Sequence, residues 1–167
     1  MTKSSGAILD GEGRPEGRGA GTAPRNSSVW VFFYGGLINP KVLDKVGMKP
    51  TRQERATLSG FDIRIAPYVN LVRSPGHTVF GLLMEVTHAE LQHTYNQLKA
   101  QYLPEAVIVS DTAGCLRPAL CYIVPDMPPG QAEVDHVEAL ATAAESCGFP
   151  QWYVAKIRGF LPIEAKA

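Results

Sequence analysis

The six residues Val29-Trp-Val-Phe-Phe-Tyr34 constrain the chain more than any other segment. β-Branched and aromatic side chains lose freedom in a helix but fit a pleated sheet, and an unbroken apolar run has no polar face to offer water. A strand buried on both sides is expected, and it requires neighbouring strands and layers that cover them. Gly35-Gly36 follows, where a turn with positive φ is expected.

The rest of the pattern supplies those neighbours. Asn39-Pro40 opens a short helix through Val42, Leu43 and Val46, closed by Gly47. Strand character runs from Gln53 to Ile65 with a break at Ser59-Gly60, returns at Val69 to Val72, and resumes from Thr78 to Val86 after the turn signal Ser74-Pro75-Gly76. Gly81 marks a bulge or a close approach inside that strand. Thr87-His-Ala-Glu90 has the spacing of a capping box, and Leu91, Tyr95 and Leu98 then give one apolar helical face. Glu105 to Asp111 and Leu116 to Val124 read as a hairpin through Thr112-Ala-Gly114. Val134, Val137, Leu140, Ala141 and Ala144 mark a second amphipathic helix ending at Gly148, and Pro150 starts a last one carrying Tyr153 and Ile157. Hairpin-linked strands with segregated helices indicate an α+β fold, a curled mixed sheet or small barrel with flanking helices.

Composition narrows the function classes. Sixteen basic residues balance sixteen acidic ones among 167, so no electrostatic grip on nucleic acid or an anionic membrane is expected. Cys115, Cys121 and Cys147 are an odd set without a CxxC pair, which suggests neither a disulfide framework nor a zinc site. With no apolar h-region at the start and no spanning run, a cytoplasmic protein is expected. Residues 1–28 are rich in glycine and polar side chains and poor in bulky apolar ones. They read as a disordered tail before a domain over 29–167.

Signatures of common chemistries are absent: the sequence has no GxSxG, no GxxxxGK and no HExxH. His88 and His93 are five apart and point to different helix faces, and Cys121 reads as a small core residue. Tyr34-Gly35-Gly36-Leu37 stands out, since a glycine turn after a buried strand can present successive amides outward as a small anion cradle.

Three segments in register resemble the γ-glutamylcyclotransferase family. Tyr34-Gly35-Gly36-Leu37 falls on that family's YGSN or YGTL turn. Asn70-Leu-Val-Arg-Ser-Pro-Gly-His-Thr-Val-Phe-Gly81 is similar to its strand, SPG turn and V-[FW]-G strand. Ala144-Glu-Ser-Cys-Gly148-Phe-Pro150-Gln-Trp-Tyr153 is similar to its GLP..Y close, and the match spans about residues 29 to 162. The resemblance implies a small mixed β-barrel with helices packed around it. It also implies release of 5-oxoproline from a γ-glutamyl amine, amino acid or peptide, by attack of the α-amine on its own γ-amide carbonyl. No metal or organic cofactor is implied, and the partner is a small molecule with a γ-glutamyl-like group. Tyr34, Gly35, Gly36 and Leu37 would line the substrate pocket.

The family's catalytic glutamate falls late in the helix after the V-[FW]-G strand, where this chain reads Leu91-Gln-His-Thr-Tyr-Asn-Gln-Leu-Lys-Ala-Gln-Tyr102 without an acid. Counting from one end places Leu98 at that position, and counting from the other places Tyr95. Glu105, which follows the same helix, is the expected replacement base. His136 falls where the resemblance implies a substrate-contacting tyrosine, and an imidazole can take and return a proton near neutral pH. Glu85 and Glu90 are poorer candidates, one inside a strand and the other in the capping box. Arg64 and Arg73 are candidates for a substrate carboxylate. The alternative is a non-catalytic protein that binds a small metabolite, or mediates interaction, on the same fold.

Overall fold

The protein was analysed as a computed structural model that describes residues 27–162. The expected tail lies outside the described residues except for Ser27 and Ser28, and Ser28 already belongs to the first strand. Five strands, β1 (Ser28–Phe33), β2 (Arg52–Ile65), β3 (Val69–Thr87), β4 (Leu103–Asp111) and β5 (Leu116–Ile123), close into a barrel in the order β1-β3-β2-β4-β5. All pairings are antiparallel except β1 with β5, which run parallel and meet at Val31 and Leu120. Among the described residues four helices flank the barrel: α1 (Pro40–Val46), α2 (His88–Tyr95), α3 (Val134–Ser146) and α4 (Gln151–Arg158). No helix among the described residues is long and apolar enough to cross a membrane.

Val31, Phe32 and Phe33 are at most 2 % exposed, as the apolar run requires, and full burial of one such side chain stabilises the fold by about 1.5–3 kcal/mol. β1 pairs with the C-terminal stretch of β3, Leu82 to Thr87, and Gly81 lies next to that stretch against the end of β1. A Cβ on Gly81 would lie 2.4 Å from the Phe33 carbonyl oxygen and 2.6 Å from the Phe32 ring. The sequence left a bulge or a close approach open there, and the structure shows the close approach.

Three expectations require correction. Ser74-Pro75-Gly76 does not separate two strands, because β3 runs without interruption from Val69 to Thr87. Pairing passes from Ser59 with Thr78 to Phe61 with Arg73, so Ser74 to His77 bulge out opposite Gly60, with Gly60 and Gly76 at φ of 82° and 83°. Ser74 Oγ and His77 Nδ1, 2.9 Å apart, hold that bulge from within. Helix α2 stops at Tyr95, with Asn96 as its C-cap, so Leu98 lies beyond it rather than on its face. Neither Gly35 nor Gly36 takes a positive φ. Gly35 has φ −109° and precedes a single 3-10 turn, Gly36–Ile38, that carries the chain into α1.

Local signals elsewhere match the sequence reading. Asn39 Oδ1 accepts the Lys41 amide at 3.0 Å and Gly47 ends α1 at φ 73°. The Thr87–Glu90 capping box is complete, and Glu90 Oε1 also accepts the Lys49 amide at 2.8 Å, joining α2 to the chain that leaves α1. Phe80 on β3 meets Phe149, Trp152 and Tyr153 with ring centroids 5.0–6.0 Å apart, which seats α4 on the sheet.

Candidate active site

Where β1 ends, the chain leaves the barrel through Tyr34 and the 3-10 turn, and a hollow of about 200 Å³ opens beside it. The turn forms one wall, and Val42 and Val46 of α1 form another. Thr94 and Tyr95 of α2, Leu98 and Tyr102 beyond it, Tyr122 of β5 and His136 of α3 complete the lining. The turn bonds Ile38 N to Gly35 O at 3.0 Å and Asn39 N to Gly36 O at 3.1 Å, whereas the Gly36 and Leu37 amides find no backbone acceptor among the described residues. The first amides of such a turn have no partner within it, and both residues line the hollow. A Cβ at Gly36 would meet nothing within 4 Å.

Four tyrosines converge here. Tyr34 Oη donates to the Tyr122 carbonyl at 2.6 Å, and Tyr102 Oη donates to the Val69 carbonyl at 2.6 Å. The rings of Tyr95 and Tyr122 stack 3.8 Å apart at 9°. Burial pushes the Tyr34 and Tyr95 phenols well above their usual range and Tyr102 up to about 12. These groups stay neutral at physiological pH, so they serve as hydrogen-bond partners rather than bases. Thr94, 1 % exposed, lines the hollow with its Oγ1 unpaired, one of two such buried side-chain atoms among the described residues; the other, Ser27 Oγ, does not line the hollow. Asn70 stiffens the neighbouring wall: its side chain donates to the Val124 carbonyl at 2.8 Å and accepts the Val124 amide at 2.9 Å.

Tyr34, Gly35, Gly36, Leu37 and His136, all expected at the substrate, border this hollow, and His136 sits exposed in the first turn of α3. Glu105 does not line it. It stands on β4 opposite Cys121 and is ion-paired with Arg73, whose guanidinium also lies 5.1 Å from the Phe61 ring. Burial, and then the charge of Glu105, push the Cys121 thiol up to about 12, so Cys121 is an inert core residue. Arg64 pairs with Asp62 at 3.1 Å, which leaves neither candidate arginine facing the hollow. Glu85 and Glu90 are occupied elsewhere, with Arg52 and with the capping box. Both positions to which the missing helical glutamate was counted, Tyr95 and Leu98, border the hollow, and no carboxylate among the described residues does.

Thr94, Tyr102, Tyr122 and Asn70 were not singled out as site residues from sequence. The tyrosines carry a partial signal, since four of the six in the chain come together. A threonine inside a helix carries none.

A closed five-stranded barrel whose first strand ends in a glycine turn beside a small hollow defines the class, and the sequence agrees with it. The chain belongs to the γ-glutamyl cyclotransferase, AIG2-like family, whose sequence profile matches residues 31–142. Among solved structures it is similar to a γ-glutamyl cyclotransferase, at TM-score 0.72 and 16 % identity over 81 % of this chain and 89 % of that one. A human protein described as uncharacterized protein loc79017 superposes at TM-score 0.69 and 16 % identity over the same shares of the two chains. YkqA from Bacillus subtilis superposes at 0.66 and 19 % identity, over 79 % of this chain and 53 % of that one. At such identities the likeness is one of fold. No curated protein matches the sequence.

Proposed function

We propose that the protein is a γ-glutamylcyclotransferase-like enzyme that converts a γ-glutamyl amide into 5-oxoproline and a free amine. The observation that carries this reading is the hollow at the end of β1, bordered by the Tyr34–Leu37 turn and by an imidazole. In the reaction the α-amine nitrogen bonds to the γ-amide carbon and the bond from that carbon to the leaving nitrogen breaks; of the two protons the α-ammonium nitrogen gives up, one completes the leaving amine and the other converts it to its ammonium form. The unpaired amides of Gly36 and Leu37 are suited to a substrate oxygen, where fixed donors stabilise developing negative charge. A folded substrate held with its amine against its own carbonyl accounts for much of the acceleration. His136 is assigned the proton transfer, because the phenols are locked neutral and Glu105 is engaged by Arg73.

Incubating the purified protein with a series of γ-glutamyl amides and detecting 5-oxoproline by mass spectrometry tests this. His136→Gln is expected to lower kcat by about a hundredfold, within the usual range for loss of a general acid–base group, while Glu105→Gln keeps most activity. The opposite pattern would move the proton transfer to Glu105. A second reading, a non-catalytic protein that binds the same class of amide, is favoured by the lack of a lining carboxylate among the described residues. Ligand-dependent stabilisation on heating without any 5-oxoproline would establish that reading instead.

A further inference from the structure

Of the arginines among the described residues, Arg52, Arg64, Arg73, Arg117 and Arg158 are each ion-paired with a carboxylate. Arg55 is not: it has no ion pair among the described residues, and its Nη1 donates to the Gly148 carbonyl at the long distance of 3.4 Å. It borders a second cleft, of about 390 Å³, which shares no lining residue with the hollow at the end of β1. The acid in that lining, Asp111, is already committed, since its Oδ1 accepts the Ala113 and Cys115 amides at 2.9 Å and its Oδ2 lies 3.8 Å from Arg117. The cleft therefore carries an uncompensated positive charge.

Its floor is a row of cross-strand neighbours. Thr57 on β2 lies opposite Phe80 on β3 and Ser110 on β4, and Ser110 lies opposite Leu116 on β5. Such partners share a face of the sheet, and Ala56 and Leu58 on either side of Thr57 are buried, so the row faces outward. Large apolar side chains border it at both ends. Leu116 is 72 % exposed, and Ile108, two residues before Ser110, is 57 % exposed; Trp152, 58 % exposed, has its ring 5.6 Å from that of Phe80. These three are the most exposed large apolar side chains among the described residues. A guanidinium without a carboxylate, set among uncovered apolar side chains, fits a segment that carries an acid beside bulky aliphatic residues.

We propose that this cleft is the docking site of the chain's own segment Ile8-Leu9-Asp10, which lies outside the described residues, with Asp10 paired to Arg55 and the aliphatic side chains on the apolar border. Within residues 1–26 only this segment sets a pair of bulky apolar residues beside an acid. Its point of attachment is close. The chain enters β1 at Ser28, whose Oγ donates to Glu85 Oε1 at 2.7 Å, and Phe80 lies five residues from Glu85 along β3, about 17 Å. A glycine-rich coil as long as the stretch from Asp10 to Ser28 spans about 23 Å on average. Tether and span therefore match, which gives the segment a high local concentration at the cleft.

Photo-crosslinking on the full chain tests this, with p-benzoylphenylalanine in place of Ile8 and the linked peptides identified by mass spectrometry. Links within one molecule to the peptides that carry Phe80, Ile108, Leu116 or Trp152 are expected to dominate. Arg55→Glu turns the attraction into repulsion and is expected to cut their yield at least about threefold, and Asp10→Arg added to it should restore the yield to within about twofold of the parent. Arg55 is exposed, so both variants should unfold at the parent's temperature. Links scattered over the surface, or a yield that Arg55→Glu does not move, overturn the docking. A loss that Asp10→Arg fails to restore overturns the pairing of Asp10 with Arg55. Links between two molecules, seen as a covalent dimer, overturn the intramolecular occupant and give the cleft to a second copy.

Discussion

The side chain of Asn70 stands in for a piece of sheet. Its amide both donates to and accepts from the backbone of Val124, 54 residues away, in a place only 5 % exposed. It holds the exit of β5 against the start of β3, beside Val69 and hence beside the Tyr102 hydroxyl that Val69 receives. Asn70→Ala leaves a buried amide and a buried carbonyl unpaired, and is expected to cost about 2–3 kcal/mol, read as a lower urea midpoint at unchanged slope. Nothing in the sequence distinguishes Asn70 from a turn asparagine, because its role depends on where Val124 arrives. Thr94 was hidden for the same reason, since polarity along a sequence says nothing of burial. Tyr34 was legible because the apolar run and the glycines beside it are adjacent in sequence.

The start of α2, set within four residues, was read correctly. Thr87 Oγ1 accepts the Glu90 amide at 3.2 Å, and Glu90 Oε2 accepts the Thr87 amide at 2.8 Å, as the S/T-x-x-E spacing dictates. Burial pushes the Glu90 carboxyl up, but hydrogen bonds from Thr87 and Lys49 outweigh it and leave it below its ordinary value. Thr87→Ala is expected to destabilise the protein by about 1 kcal/mol, and to do so chiefly by fraying α2, which hydrogen exchange at the amides of Glu90 and Leu91 would report. Elements whose limits depend on a distant strand were misread. Ser74-Pro75-Gly76 has the composition of a turn, and only the pairing with β2 on both sides of Gly60 makes it a bulge within one strand. Closure of the barrel is likewise out of reach of local patterning, because β1 and β5 meet in parallel across 89 residues at Val31 and Leu120.

At the scale of the whole molecule, polar groups hold one part of the barrel wall. Trp30, Glu85 and Arg52 lie abreast on β1, β3 and β2. Hydrogen bonds from Arg52, Ser28 and Thr51, led by Arg52 at 2.8 Å, bring the Glu85 carboxyl down from 4.5 to about 2 despite some burial. A carboxyl held lower in the folded state than in the unfolded chain stabilises the fold fully above the unfolded value of 4.5, and that contribution is lost as pH falls through about 2. The urea midpoint should therefore drop across this interval, and Glu85→Gln should flatten the drop while lowering the midpoint near neutrality. An equally steep acid limb in Glu85→Gln would assign the acid sensitivity to other carboxylates, such as Asp62, which Lys156 and Arg64 hold down against its own burial.

The Trp30 ring has a guanidinium on it from each of two strands, Arg52 and Arg117, both 4.8 Å from its centroid. The other tryptophan, Trp152, is 58 % exposed on α4. An indole in contact with two cations emits differently from one in water, and the cations come from β2 and β5, on opposite flanks of β1 in the ring of strands. In a Trp152→Phe background the remaining emission would thus be a built-in optical gauge of whether the cylinder is shut, usable in stopped flow without any added dye.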